Sequence, residues 1–281
     1  MKNKLKNILV NFIIPVLLFL IPFSLPLYQL SFDVSLFLTV VSLIFGVLVG
    51  FFIATATTNY LNLNNQLAEA NSLLTIVYNL TKKLDINKGK QLAEAIDRYL
   101  IATIDYPIAE HAQNTEKEFN EIINAIDSIK LKKENSEVVV IYQNLHNAKA
   151  DLFKKRQIII QIAPKVITIT HWFLILALET LIVLMLFSLR DGNAISNIFY
   201  GFIFICFYFL CLILYQVDSD EFLESQLGFE DVQMVFKSIN KKRYYPQNVL
   251  NEGKAKVPDE DYRIGVGFGI NKKVKLKSKK D

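Results

Sequence analysis

Long stretches of this chain carry no charge at all. No Asp, Glu, Lys or Arg occurs from Asn7 to Phe32, from Val34 to Ala68, or from Gly192 to Val217. Between Val166 and Leu189 the single charged residue is Glu179. A helix needs roughly 20 consecutive apolar residues to cross a bilayer, and each of these runs can supply them. With 52% hydrophobic and 21% charged residues and a mean hydropathy of +0.29, the 281-residue chain has the composition of an integral membrane protein.

The same numbers remove other classes. The net charge is +4, and the one dense basic run is Lys272 to Lys280. A nucleic-acid protein would carry a basic stripe with its readers, so no nucleic-acid partner is expected. Cys206 and Cys211 both lie inside the last apolar run. Five residues apart, they point to different sides of a helix, which excludes a disulfide framework and a cysteine metal site.

Four spans can be drawn, approximately Ile8 to Leu30, Val34 to Ala56, Ile167 to Phe187 and Ile195 to Gln216. Lys2, Lys4 and Lys6 before the first also describe a signal peptide, but the stretch is long and no Ala-type cleavage site follows it. A retained span is therefore expected, kinked or broken at Pro15, Pro22 and Pro26. Lys149, Lys154, Lys155, Arg156 and Lys165 precede the third span, whereas the short connections Gln29 to Asp33 and Ser188 to Ala194 hold Arg190 alone. Positive charge stays on the cytoplasmic side. The expected protein is multi-pass in the inner (plasma) membrane with both termini cytoplasmic.

The expected fold class is thus an all-α integral membrane protein, four transmembrane helices in two hairpins with a cytoplasmic helical bundle between spans two and three. The segments are 1–56 (first hairpin), 57–165 (cytoplasmic helical region), 166–216 (second hairpin), 217–250 (cytoplasmic amphipathic segment) and 251–281 (basic, disordered tail). Tyr60, Leu63, Leu67, Ala70, Leu74, Val77 and Thr81 continue the second span in steps of three and four, a seam for helix packing. Further helices are expected over Lys90 to Asp105, Asn114 to Lys130 and Ser136 to Ile162. Their buried faces include Leu92, Ile96, Tyr99 and Leu100, then Phe119, Ile122 and Ile126, then Leu145, Leu152 and Ile159.

Candidate functional residues concentrate in the spans. Ser42, Gly46, Gly50 and Ala54 recur every fourth residue of span two, the spacing of a close-packing helix face. Phe45, Val49 and Phe52 stand on another side, as ordinary core contact or, repeated around an axis, as apolar rings that gate by dewetting. Glu179 lies near the middle of span three and must face protein or water, be protonated, or find a partner. His171, eight residues earlier, shares its side of the helix. Asp218, Asp220, Glu221 and Glu224 resemble a cation cluster. The EF-hand spacing is missing, however, and Asp218 with Glu221 fits a helix N-cap box better. No nucleophile–base constellation, cofactor motif or metal-ligand spacing occurs, so the chain is expected to be neither an enzyme nor cofactor-dependent.

The order of parts resembles the bacterial bestrophin-like membrane proteins. Local similarity runs from Phe51-Phe52-Ile53-Ala54 through Glu69-Ala70, Leu74 and Tyr78, resumes at Leu145, Arg156, Pro164 and Trp172, and ends at Tyr244-Tyr245-Pro246. The resemblance implies a homo-oligomer, with a pentamer as the expected number, whose second span lies nearest the axis. Phe45, Val49 and Phe52 would then occupy the place of an apolar neck, in an ion channel of the anion class. No sequence signature fixes anion selectivity, and Glu179 is unhelpful to an anion unless neutral. The alternatives are a non-conducting membrane-anchored scaffold or sensor acting through its cytoplasmic helices and, third, a proton-linked transporter. The partners expected besides the bilayer and further copies of the chain are anionic lipids at the lysine-rich tail.

Overall fold

The computed structural model of the protein describes residues 9–27, 33–106, 108–131, 135–164, 167–218, 229–251, 253, 255, 259–267 and 273–278. It is nearly all-α, 80% helical. The chain divides into two compact units, Met1–Asn59 with Lys165–Ser219 and Tyr60–Pro164 with Asp220–Asp281.

In the first unit a π-helical turn at Leu9–Ile13 leads into α1 (Ile14–Ser24). The unit also holds the beginning of α2 (Val34–Leu84), α7 (Ile169–Ser188) and α8 (Ala194–Asp218). Among the described residues three helices, α2, α7 and α8, are long and apolar enough to cross a membrane, and the apolar helix Leu9–Ser24 is shorter. The sequence allowed a first span to Leu30, but the helix stops at Ser24. Pro22 sits inside its last turn and Pro26 follows it, each removing a backbone donor.

α1 packs along α8. Gly201 makes the close approach possible, because a Cβ there would lie 2.7 Å from the Phe19 ring and 2.9 Å from the Phe19 carbonyl oxygen. Tyr208 on α8 donates its hydroxyl to the Val10 carbonyl at 3.0 Å, within the π-helical turn. Arg190, 4% exposed, donates to the carbonyls of Pro22, Leu25 (2.9 Å) and Pro26 (2.7 Å). These are the carbonyls that a proline-terminated helix leaves open, and a cation at the negative end of the helix dipole is favourable.

The second unit contains the rest of α2, then α3 (Ile86–Asp105), α4 (His111–Asn114), α5 (Glu116–Asp127), α6 (Ser136–Ile162) and α9 (Phe229–Ser238). A 3-10 turn, Ile108–Glu110, precedes α4. Asp85 caps α3 by accepting from the Asn87 and Lys88 amides at 2.8 and 3.2 Å. The seam read from the sequence is buried where it meets these helices: Leu74, Val77, Leu92, Ile96, Leu100, Phe119, Ile122, Ile126, Leu145 and Leu152 form one core. Leu63 and Ile159 form a smaller one. The expected α5 is shorter than its apolar pattern, ending at Asp127, and α6 has the bounds read from the sequence.

The tail departs from expectation. Instead of a wholly disordered basic segment, β1 (Tyr244–Pro246), β2 (Tyr262–Val266) and β3 (Lys273–Lys277) form a three-stranded sheet in that order, with α10 (Gln247–Asn251) after β1. β1 pairs with β2 in parallel and β2 with β3 antiparallel. The lysine-rich composition concealed a period-two pattern, Lys-Val-Lys-Leu-Lys, that suits a strand.

Buried polar contacts anchor this sheet. Gln233, fully buried on α9, donates to the Tyr244 carbonyl at 2.8 Å and accepts from its N–H at 3.0 Å. The Tyr244 hydroxyl donates to Asp105 at 2.9 Å. Burial pushes its phenol pKa up, against a smaller opposing effect of Arg263, so the donor stays protonated. Arg263 on β2 forks onto both oxygens of Asp97 on α3 at 2.8 and 2.6 Å, with its guanidinium 5.0 Å from the Phe236 ring. Asp97 is 7% exposed. Replacing Asp97 with Ala leaves a part-buried guanidinium without its carboxylate, at a cost of about 1–3 kcal/mol. Hydrogen exchange at Tyr262–Val266 should rise sharply in this variant while exchange in α7 stays unchanged.

Candidate functional site

The functional candidates gather in the first unit, where α2 presents two unlike faces. Phe45, Val49 and Phe52 are 4%, 2% and 6% exposed and pack with Ile175, Ile182 and Leu214. The Phe45 ring meets Phe207 edge-on at 5.4 Å, and the Phe52 ring lies 4.8 Å from His171. These bulky residues therefore serve as helix packing within one chain. Ser42, Gly46, Gly50 and Ala54 lie on the exposed side, and a Cβ built on either glycine meets nothing within 4 Å. Ser35, Thr39, Thr57 and Thr58 extend the exposed side along the helix with hydroxyls. Thr39 donates back to the Ser35 carbonyl at 2.9 Å, and Ser42 donates to that of Leu38. Such back-bonding satisfies a hydroxyl where no water is available.

Glu179 on α7 is half-buried and has a partner that sequence spacing did not suggest. The Cys211 thiol of α8 donates to its Oε2 at 3.2 Å. The position of Cys211 in the sequence signals nothing about α7. His171 is engaged elsewhere: its Nδ1 accepts from the Thr168 amide at 3.3 Å, closing the first turn of α7. Asp218 is the last residue of α8, and its carboxylate accepts from the Ile167 amide at 3.0 Å, just before α7 begins. It thus ties the two ends of the second hairpin together. Asp220, Glu221 and Glu224 lie outside the described residues, as does Lys272 in the tail. No group of three or more His, Cys, Asp or Glu is placed to hold a metal among the described residues.

The arrangement offers a membrane-embedded carboxyl with one soft donor and an uncovered small-residue helix face. A match to the bestrophin-like domain extends over residues 31–220, more than half of the chain. The chain belongs to the bestrophin-like family. No curated protein and no solved structure matches it.

The bestrophin-like region takes in α2 through α8 and leaves the three-stranded sheet outside it. Within it, Arg190 and the Glu179–Cys211 pair are the features that residue patterns alone did not show. Arg190 stood out only as the lone cation of its connection. Cys211→Ala should leave the Glu179 carboxyl without its donor and lower stability by about 1–3 kcal/mol, whereas Cys211→Ser should retain most of it. In thermal unfolding of the purified protein, Glu179→Gln combined with Cys211→Ala should cost less than the sum of the two changes. Strict additivity would mean that the two side chains do not interact.

Proposed function

We propose that this bestrophin-like protein is a homo-oligomeric ion channel, of the anion class its family suggests, in which copies of α2 surround a shared axis. The observation that carries this reading is the division of α2. Phe45, Val49 and Phe52 are consumed by their own chain, while the small stripe of Ser42, Gly46, Gly50 and Ala54 is uncovered, with the exposed Leu43, Val47 and Phe51 beside it. The face turned toward the axis is then Ser42, Gly46, Gly50 and Ala54, and Phe45, Val49 and Phe52 support it from behind. Small residues allow close approach of helices in hydrocarbon, where there is no hydrophobic drive between them. Hydroxyls along this side, once turned away from the carbonyls they now meet, can donate to a permeating anion and replace part of its water.

In the same reading the segment Leu9–Ser24 completes a fourth crossing together with its neighbouring residues. Both termini and the second unit are then cytoplasmic, in the inner membrane. Reporters fused after Lys130 and at the C-terminus should both read cytoplasmic, and an external signal from either would overturn this topology.

The channel is tested by halide flux from liposomes holding the purified protein, with oligomeric state measured in parallel. Wild type should exceed empty liposomes, and Gly46→Leu and Gly50→Leu should lower oligomer recovery and flux together. Phe45→Ala should act as a core cavity costing about 3–5 kcal/mol, seen as lower thermal stability rather than raised flux. A strict monomer sinks the shared axis. An intact oligomer with flux at the empty-liposome background moves the reading to a non-conducting membrane-anchored scaffold. Flux that follows a proton gradient and loses that dependence in Glu179→Gln moves it to a proton-linked transporter.

A further inference from the structure

β3 is the outer strand of its sheet, and all five of its residues are exposed. Its register against β2 sets Lys273, Lys275 and Lys277 opposite Val266, Ile264 and Tyr262, on one face. Val274 and Leu276, opposite Gly265 and Arg263, lie on the other face and are 47% and 61% exposed. None of the three lysines makes an ion pair among the described residues. The strand therefore offers an open backbone edge, cations about 7 Å apart on one face, and apolar side chains between them on the other.

An open edge is a liability, and lysines are a common guard against unwanted pairing. The guard is selective by charge. A second copy of β3 laid alongside would place lysine against lysine, which is destabilising. A strand with carboxylates at alternate positions converts the same lysines into cross-strand ion pairs, and its intervening apolar residues meet Val274 and Leu276. We propose that β3 is a docking edge for an extended acidic segment of a partner protein, alternating carboxylate and apolar residues, added to the sheet as a fourth strand. An anionic lipid surface would answer the charge, but it uses neither the backbone edge nor the alternation.

The test uses the full-length protein in neutral-lipid nanodiscs and labelled peptides followed by fluorescence anisotropy. A peptide of alternating Glu and Val should bind at least tenfold tighter than one of equal composition with the Glu residues in a block. It should also bind at least tenfold tighter than an alternating peptide N-methylated at every second amide. Changing Lys273, Lys275 and Lys277 together to Glu should abolish capture of the acidic peptide and create capture of an alternating Lys and Val peptide. Hydrogen exchange at Tyr262–Val266 checks that the sheet is retained in that variant. If the sheet is lost, the comparison of the three peptides on wild type decides alone. Equal binding of the block and alternating peptides would reduce the effect to charge attraction and overturn the proposal. So would loss of peptide capture when phosphatidylserine is added to the nanodiscs, because the lysines would then belong to lipid headgroups.

Discussion

One helix contributes side chains to every hydrophobic core of the described chain. Phe45, Val49 and Phe52 of α2 lie in the core of the first unit, and Leu63 lies in the small cluster with Ile159. Leu74, Val77 and Tyr78 belong to the large core of the second unit. This works because α2 runs from Val34 to Leu84 with no proline and no glycine after Gly50, so its hydrogen-bond ladder never needs outside help. The change from an apolar to a polar stretch is handled by side chains alone. Its early hydroxyls return their protons to carbonyls four residues back, as Thr39 and Thr55 do at 2.9 Å, and its later polar residues alternate with the buried seam.

Charged groups of the first unit obey the same rule that polarity must be answered inside the protein. Glu179 is met by a thiol, Asp218 by a backbone amide and Arg190 by three backbone carbonyls. The Arg190 arrangement explains how a helix ending in Pro22 and Pro26 holds its place. Prolines free carbonyls that have no partner in their own helix, and the guanidinium gathers them in one fork. That contact joins α1 to the connection between α7 and α8, and Gly201 and Tyr208 fasten the same two partners along their length.

What was legible in the sequence was local. The bounds of α6 and the unbroken run of α2 follow from a period of 3.6 and the absence of helix breakers, both readable within a window of a few turns. The burial of Leu92, Phe119 and Leu145 follows from the same pattern. Partners distant along the chain were not legible. Nothing near Glu179 points to Cys211, and nothing near Asp97 points to Arg263, 166 residues away. The tail's strands were not legible because its lysine content masks the alternation, and their partners, Gln233 and Asp97 among them, lie on distant helices. The first apolar run forms a helix shorter than its composition suggests, because Pro22 and Pro26 end it at Ser24.

The choice between the two faces of α2 shows why burial adds what spacing cannot. Residues every fourth position identify a face, and two such faces were visible, one bulky and one small. Either one can be turned toward another copy of the chain. The bulky face is occupied, since Phe45 and Phe52 meet Phe207 and His171 of the same chain at ring distances that leave no room for a further helix. What α2 leaves open to a neighbour is therefore the stripe of Ser42, Gly46, Gly50 and Ala54 together with the exposed Leu43, Val47 and Phe51 beside it. Along the stripe itself the side chains are no larger than a methyl or hydroxymethyl group, while Leu36 and Leu43 flank it, 66% and 67% exposed. The glycines leave the helix surface open to close contact, and the bulky residues, by packing inward, keep that surface in place.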